Sequence, residues 1–194
     1  MNGQPNLNLP NLITICRILL VPVFAIFILE DKITMACIVF LVAGISDGLD
    51  GFLARILQQK TILGALLDPL ADKLLLTTAF IFLAITEKVP PWISVIVVSR
   101  DILILGGIAF LILFGKNPAI RPSFLSKCTT FFQLITVLYF LTVGFFAHEI
   151  VYVKYLVLYT TCLFTVISGI HYITVGLKVW NAPHPAVSSD FYDR

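Results

Sequence analysis

The sequence predicts an all-α protein that crosses a membrane six times, with both termini in the cytoplasm. Three observations carry that expectation. Of 194 residues, 59% are hydrophobic and only 12% are charged, and the mean hydropathy is +0.99. An average soluble domain carries about 25% charged residues, and so short a chain has too little interior to hide this much apolar surface. The apolar residues also fall into six runs of about the 20 residues that a spanning helix needs. Finally, basic residues gather on alternate connections, which orients the chain.

The runs cover 11–29, 33–55, 63–86, 91–114, 129–147 and 151–177. The first ends at Glu30-Asp31-Lys32, the second at 57–60 and the third at 87–90. A longer polar break over 115–127 closes the fourth, and His148-Glu149 closes the fifth. No break has room for a soluble domain, so residues 1–181 read as one membrane domain and 182–194 as a short polar tail. With six spans, Arg17, Arg55, Lys60, Lys116, Arg121, Lys127, Lys178 and Arg194 fall on or near the side of the termini. Lys32, Lys88 and Lys154 fall on the other side, and this bias predicts cytoplasmic termini.

Other features narrow the class. A net charge of +2 gives no basic field, so nucleic acid is not an expected partner. Cys16, Cys37, Cys128 and Cys162 lack metal-site spacing and read as small apolar residues. The N-terminus has neither the basic start and cleavage site of a signal peptide nor the Arg/Ser-rich pattern of a transit peptide. That points to a bacterial cytoplasmic membrane. Trp92, Trp180 and several tyrosines suit the membrane interface. No histidine is given a role.

The chemistry lies between 47 and 73, where the sequence is DGLDGFLARILQQKTILGALLDPLADK. A carboxylate at the bilayer centre costs about 2.5–3.5 kcal/mol on insertion scales, and four are present near the cytoplasmic ends of the second and third spans. Asp47 and Asp50 are three residues apart, and Asp68 and Asp72 four apart, so each pair lies on one helix face. A short connection makes the two helices antiparallel neighbours. If the faces meet, four carboxylates converge, and Arg55 and Lys73 cannot neutralise them all. Hard divalent cations can, and all-oxygen ligation suits Mg²⁺ or Mn²⁺, with ligands enough for two ions. Gly51 and Ala54 share the face of the first pair, and Gly64 precedes Asp68 by a turn, which allows close approach of a helix or ligand. Pro69 removes a backbone hydrogen bond beside the acids. Arg55 stands where a diphosphate would meet it. The competing readings are interhelical ion pairs, an ion-coupled transporter and a membrane scaffold. A transporter would also place acids in the membrane, but no repeated pair of broken helices is present.

Asp47-x2-Asp50-Gly51-x2-Ala54-Arg55-x8-Gly64-x3-Asp68-x3-Asp72 resembles the complete motif of the CDP-alcohol phosphotransferases. The resemblance implies a metal-dependent transfer of a phosphatidyl group from CDP-diacylglycerol to an alcohol, with release of CMP. It implies that Asp47, Asp50 and Asp68 bind the metal with Asp72 completing the site. Asp72 would also act as the general base on the acceptor hydroxyl. Gly51, Ala54, Arg55 and Gly64 would meet the cytidine and diphosphate. A homodimer surrounded by membrane lipids is also implied.

The acceptor is expected from residues outside that motif. The segment from Pro10 to Arg17 resembles the branch containing phosphatidylglycerophosphate synthases and CMP-forming cardiolipin synthases, with Asn11, Thr14 and Arg17 as nucleotide contacts. Arg100 in the fourth span and Lys127, Thr130 and Gln133 entering the fifth suit a phosphate and hydroxyls, with Arg121 as a further candidate. Phosphatidylglycerophosphate synthases more often carry Arg-Glu and Gly-Lys where this chain has Arg100-Asp101 and Ser126-Lys127, which is closer to the cardiolipin synthases. Bacterial cardiolipin synthases mostly belong to another class, so glycerol 3-phosphate is ranked first and phosphatidylglycerol second.

Overall fold

The computed structural model describes residues 9–56, 62–114, 116, 123–145 and 151–181, with only the backbone described at 9–11, 47–56 and 62–70. Six helices account for nearly all of these residues: α1 Leu9–Leu29, α2 Ile33–Ile56, α3 Ile62–Ile85, α4 Pro91–Leu113, α5 Phe124–Thr142 and α6 Val151–Asn181. A single 3₁₀ turn, Val143–Phe145, follows α5. The all-α expectation holds among the described residues. Among the described residues, four stretches are long and apolar enough to cross a bilayer, Leu12–Leu29, Pro91–Leu113, Phe124–Phe145 and Val151–Asn181, and α2 adds a shorter apolar run, Ile33–Ser46. The chain is an integral membrane protein.

One boundary needs correction. The fifth helix begins at Phe124, not at 129, so Ser126 and Lys127 belong to its first turn rather than to a loop. Ser123 is the reason. Its backbone is extended and its side-chain oxygen accepts from the Ser126 N–H at 3.2 Å, satisfying one of the open donors of the helix start. The sixth helix likewise runs past 177 to Asn181.

Consecutive helices run in opposite directions. Residues late in α1, α3 and α5 therefore meet residues early in α2, α4 and α6. At that end the core is apolar: Phe24, Ile28, Phe40, Leu76, Phe80, Ile93, Val97, Phe140, Leu141 and Leu158 form one buried cluster. Phe24 and Phe40 pack ring to ring with centroids 5.6 Å apart. α1 packs on α2 and α3, while α6 packs on α4 and α5. The outer faces stay apolar, with Ile102, Leu113, Leu156 and Leu163 exposed, as a bilayer-facing surface requires.

Two connections at this end, α1–α2 and α3–α4, are tightly capped. Asp31 and Glu87 both take left-handed backbone, with φ 56° and 58°. Asp31 N–H bonds to Ile28 O and Lys32 N–H to Phe27 O; Glu87 N–H bonds to Ala84 O and Lys88 N–H to Leu83 O. These paired bonds close helices α1 and α3 in the same way, with an acidic residue where glycine is usual. Lys88 then donates to Asp31 at 2.8 Å and ties the two caps together.

Candidate functional site

The opposite end of the bundle has a polar core. Arg100 and Asp101 lie in mid-α4, where neighbouring helices bury both. Asp101 Oδ1 accepts two cations at once, the Arg100 guanidinium (Nη1) at 2.7 Å and the Lys73 ammonium on α3 at 2.5 Å. The other guanidinium nitrogen (Nη2) donates to Ser126 Oγ on α5 at 2.9 Å and to Ser168 Oγ on α6 at 2.7 Å. The Arg100 head also lies over the Tyr172 ring, 5.7 Å from its centroid. Through one arginine and one aspartate, α3, α4, α5 and α6 are joined by charge-assisted hydrogen bonds.

Between this cluster and the apolar end runs a ladder of hydroxyls that joins α5 to α6. Thr129 Oγ1 donates to Phe164 O, Gln133 Nε2 donates to Thr165 Oγ1 at 3.4 Å, and Thr136 and Thr161 hydroxyls meet at 2.6 Å. Such bonds hold helices together where burial of apolar surface gives no net drive.

The sequence-predicted residues fall at several places around this end. Asp47, Asp50, Gly51, Ala54 and Arg55 lie in the last part of α2, and Gly64 and Asp68 in the first part of α3. Their side chains are outside the described residues, and so is the convergence of the four carboxylates. The described backbone is helical at all four aspartates, which keeps Asp47 with Asp50, and Asp68 with Asp72, on common faces. Asp72 is half-buried and directly precedes Lys73. Thr14 and Arg17 are buried on α1; the side chain of Asn11 and the whole of Arg121 are outside the described residues. Among the described residues no cluster of three metal-ligating side chains occurs. The donor set nonetheless fits hard divalent cations: two helix-borne pairs of carboxylates, with oxygen as the sole donor type.

The acceptor candidates are divided by the packing. Lys127 and Thr130 line a shallow pocket of about 370 Å³ with Ser126, Phe131 and Leu134. Gln133 is fully buried against Thr165 instead, and Arg100 is enclosed behind Ser126. Lys73 and Ser168 were not singled out by sequence reasoning. In the sequence Lys73 stands out only as one of two bases beside the four aspartates, and Ser168 carries no signal beyond a small polar residue in an apolar helix. A second groove, of about 380 Å³, lies between the later halves of α4 and α6. Its lining includes Ile104, Gly107, Phe110, Tyr172, Gly176 and Trp180, with no charged residue, so it suits hydrocarbon and not a reaction centre.

Comparison with known proteins adds one family match and three relatives. The family model described as CDP-alcohol phosphatidyltransferase matches residues 7–167. A Bacillus subtilis protein named CDP-diacylglycerol–glycerol-3-phosphate 3-phosphatidyltransferase is 34% identical over 90% of this chain and 96% of its own length. An Aquifex aeolicus protein of the same name is 40% identical over 68% of this chain and 74% of its own. A rat cardiolipin synthase (CMP-forming) is 36% identical over 66% of this chain, which spans only 48% of that protein.

Proposed function

This chain belongs to the CDP-alcohol phosphatidyltransferase family, and from that premise we propose that it makes phosphatidylglycerophosphate from CDP-diacylglycerol and glycerol 3-phosphate. The observation that carries the choice of acceptor is the match to the B. subtilis enzyme along nearly the whole of both chains. The complete aspartate motif from Asp47 to Asp72 supports the chemistry.

In this reading the chain crosses a bacterial cytoplasmic membrane six times, as a homodimer with cytoplasmic termini, and 182–194 form a polar tail to the membrane domain 1–181. Gly51, Ala54, Arg55 and Gly64, with Asn11, Thr14 and Arg17, receive the cytidine and diphosphate. Asp47, Asp50, Asp68 and Asp72 hold two Mg²⁺ or Mn²⁺ ions, which supply charge neutralisation for the diphosphate and the departing CMP. The carboxylate of Asp72 takes the proton of the acceptor's primary hydroxyl. That oxygen bonds to the phosphorus bearing diacylglycerol as the bond from phosphorus to the CMP oxygen breaks, and CMP leaves with the electron pair. Lys127, Thr130 and Arg121 meet the acceptor, and Arg100 and Gln133 support that wall from inside the bundle.

A second reading, phosphatidylglycerol as acceptor and cardiolipin as product, is favoured by the Arg100-Asp101 and Ser126-Lys127 pairs and by the similarity to the rat enzyme. Thin-layer separation of the lipid product, with each acceptor offered alone, decides between them. Phosphatidylglycerophosphate formed from glycerol 3-phosphate supports the first reading; cardiolipin formed only from phosphatidylglycerol replaces it with the second.

A further inference from the structure

Lys73 follows Asp72 directly, yet the nucleotide motif ends at Asp72 and gives Lys73 no part. Its ammonium donates to Asp101 Oδ1 at 2.5 Å, and the same oxygen receives Arg100. One carboxylate thus faces two cations, and this trio retains one positive charge. With the motif carboxylates committed to divalent cations in the phosphatidyltransfer reading, the excess charge of this trio favours an arriving anion. The two cations are not equally able to receive it. The Arg100 side chain is 3% exposed and already engaged by Asp101, Ser126, Ser168 and Tyr172. The Lys73 side chain is 25% exposed and holds one bond to Asp101 among the described contacts, leaving room for another partner.

The acceptor's own chemistry fits this placement. In glycerol 3-phosphate, and in the headgroup of phosphatidylglycerol, the phosphate and the reacting primary hydroxyl sit at opposite ends of a three-carbon chain. A site for either needs a cation a short distance from the base. Successive residues of a helix leave it about 100° apart, so Lys73 lies on the face next to that of Asp72 and turns to Asp101 on α4, one residue along the chain from the base.

Resting on the phosphatidyltransfer reading above, we propose that Lys73 binds the acceptor's phosphate, and that Asp101 is the positioning residue that holds Lys73 there. Asp101 reaches no substrate in this account. It fixes the ammonium against α4, while Arg100, bound to the same oxygen, anchors Asp101 to α5 and α6.

The test is a double-mutant cycle on the full-length protein in lipid vesicles, read as CMP release, with the KM of acceptor and of CDP-diacylglycerol measured separately. Lys73→Met should raise the acceptor KM about tenfold or more, with the CDP-diacylglycerol KM unchanged. Asp101→Asn should raise the same KM, Asp101→Glu should restore part of the loss, and the Lys73→Met/Asp101→Asn double variant should be no worse than Lys73→Met alone. Should Lys73→Met fail to fold, Lys73→Gln replaces it in the cycle with the same expectation. An acceptor KM that stays put in a folded Lys73 variant, or the two KM values rising together, overturns the proposal and leaves a structural ion pair. Wild-type protein that releases no CMP with either acceptor overturns the functional reading and this inference with it.

Discussion

The two ends of the bundle are held together differently. At one end, Phe24, Phe40, Phe80, Phe140 and their neighbours fill the space between helices with hydrocarbon, and the α1–α2 and α3–α4 connections are pinned by the Asp31 and Glu87 caps. At the other, Arg100, Asp101, Lys73, Ser126 and Ser168 join the helices through hydrogen bonds and charge. In a bilayer the two solutions are not equivalent. Apolar packing gains only dispersion and shape complementarity, since lipid is as apolar as leucine. A buried charge network gains little stability over a hydrophobic one and costs much when broken. The polar end is therefore where the molecule retains groups for a purpose other than cohesion, and it is the end toward which the motif aspartates lie. The packed end acts as a frame that holds α2 and α3, whose other halves bear the motif aspartates.

Substitutions should separate the two ends, and the largest effect is expected at Asp72. A general base contributes about 10²–10⁴-fold, and asparagine keeps the shape while losing the basicity. Asp72→Asn should lose turnover by that factor while retaining metal-dependent binding of CDP-diacylglycerol, measured by calorimetric titration with and without Mg²⁺. Binding lost along with turnover would make Asp72 principally a ligand. Next comes Arg100→Met. It leaves Ser126 and Ser168 without their donor and should cost about 3 kcal/mol of stability, read by thermal unfolding in detergent. A comparable or smaller loss, about 3 kcal/mol at most because lipid removes much of the transfer part of a buried Phe→Ala change, is expected of Phe80→Ala at the apolar end, with both KM values unmoved. If Phe80→Ala shifts an acceptor KM, the two ends are not separate in function. The smallest is Thr136→Val, which removes one hydroxyl pair of the α5–α6 ladder and should cost about 0.6 kcal/mol.

The apolar end was the more legible in sequence. Its helices follow from continuous apolar runs, and their limits follow from charged breaks such as Glu30-Asp31-Lys32. Its caps were not legible, because Asp31 and Glu87 occupy positions where glycine would have been the signal. At the polar end the aspartate pairs stood out by spacing alone, since each pair is local to one helix. The network behind them did not, because its bonds join residues far apart in the chain: Lys73 to Asp101, and Arg100 to Ser126 and Ser168. Periodicity reports which residues share a face, not which face meets it. Gln133 illustrates the point. Spacing groups it with Lys127 and Thr130, yet the structure turns it inward to Thr165 while they line an open pocket. The start of α5 is hidden for a related reason: Ser126 and Lys127 look like a polar loop, and only the Ser123 cap makes them the first turn of the helix.

The central claim is that the aspartates at the polar end make the protein a metal-dependent phosphatidyltransferase. The most direct measurement is CMP release by the purified protein in lipid vesicles, supplied with CDP-diacylglycerol and glycerol 3-phosphate, before and after chelation of divalent cations. The account predicts CMP release that requires the acceptor, falls to background on chelation, and returns when Mg²⁺ or Mn²⁺ is added. Full activity after thorough chelation, or no CMP in the presence of both substrates and metal, would contradict it.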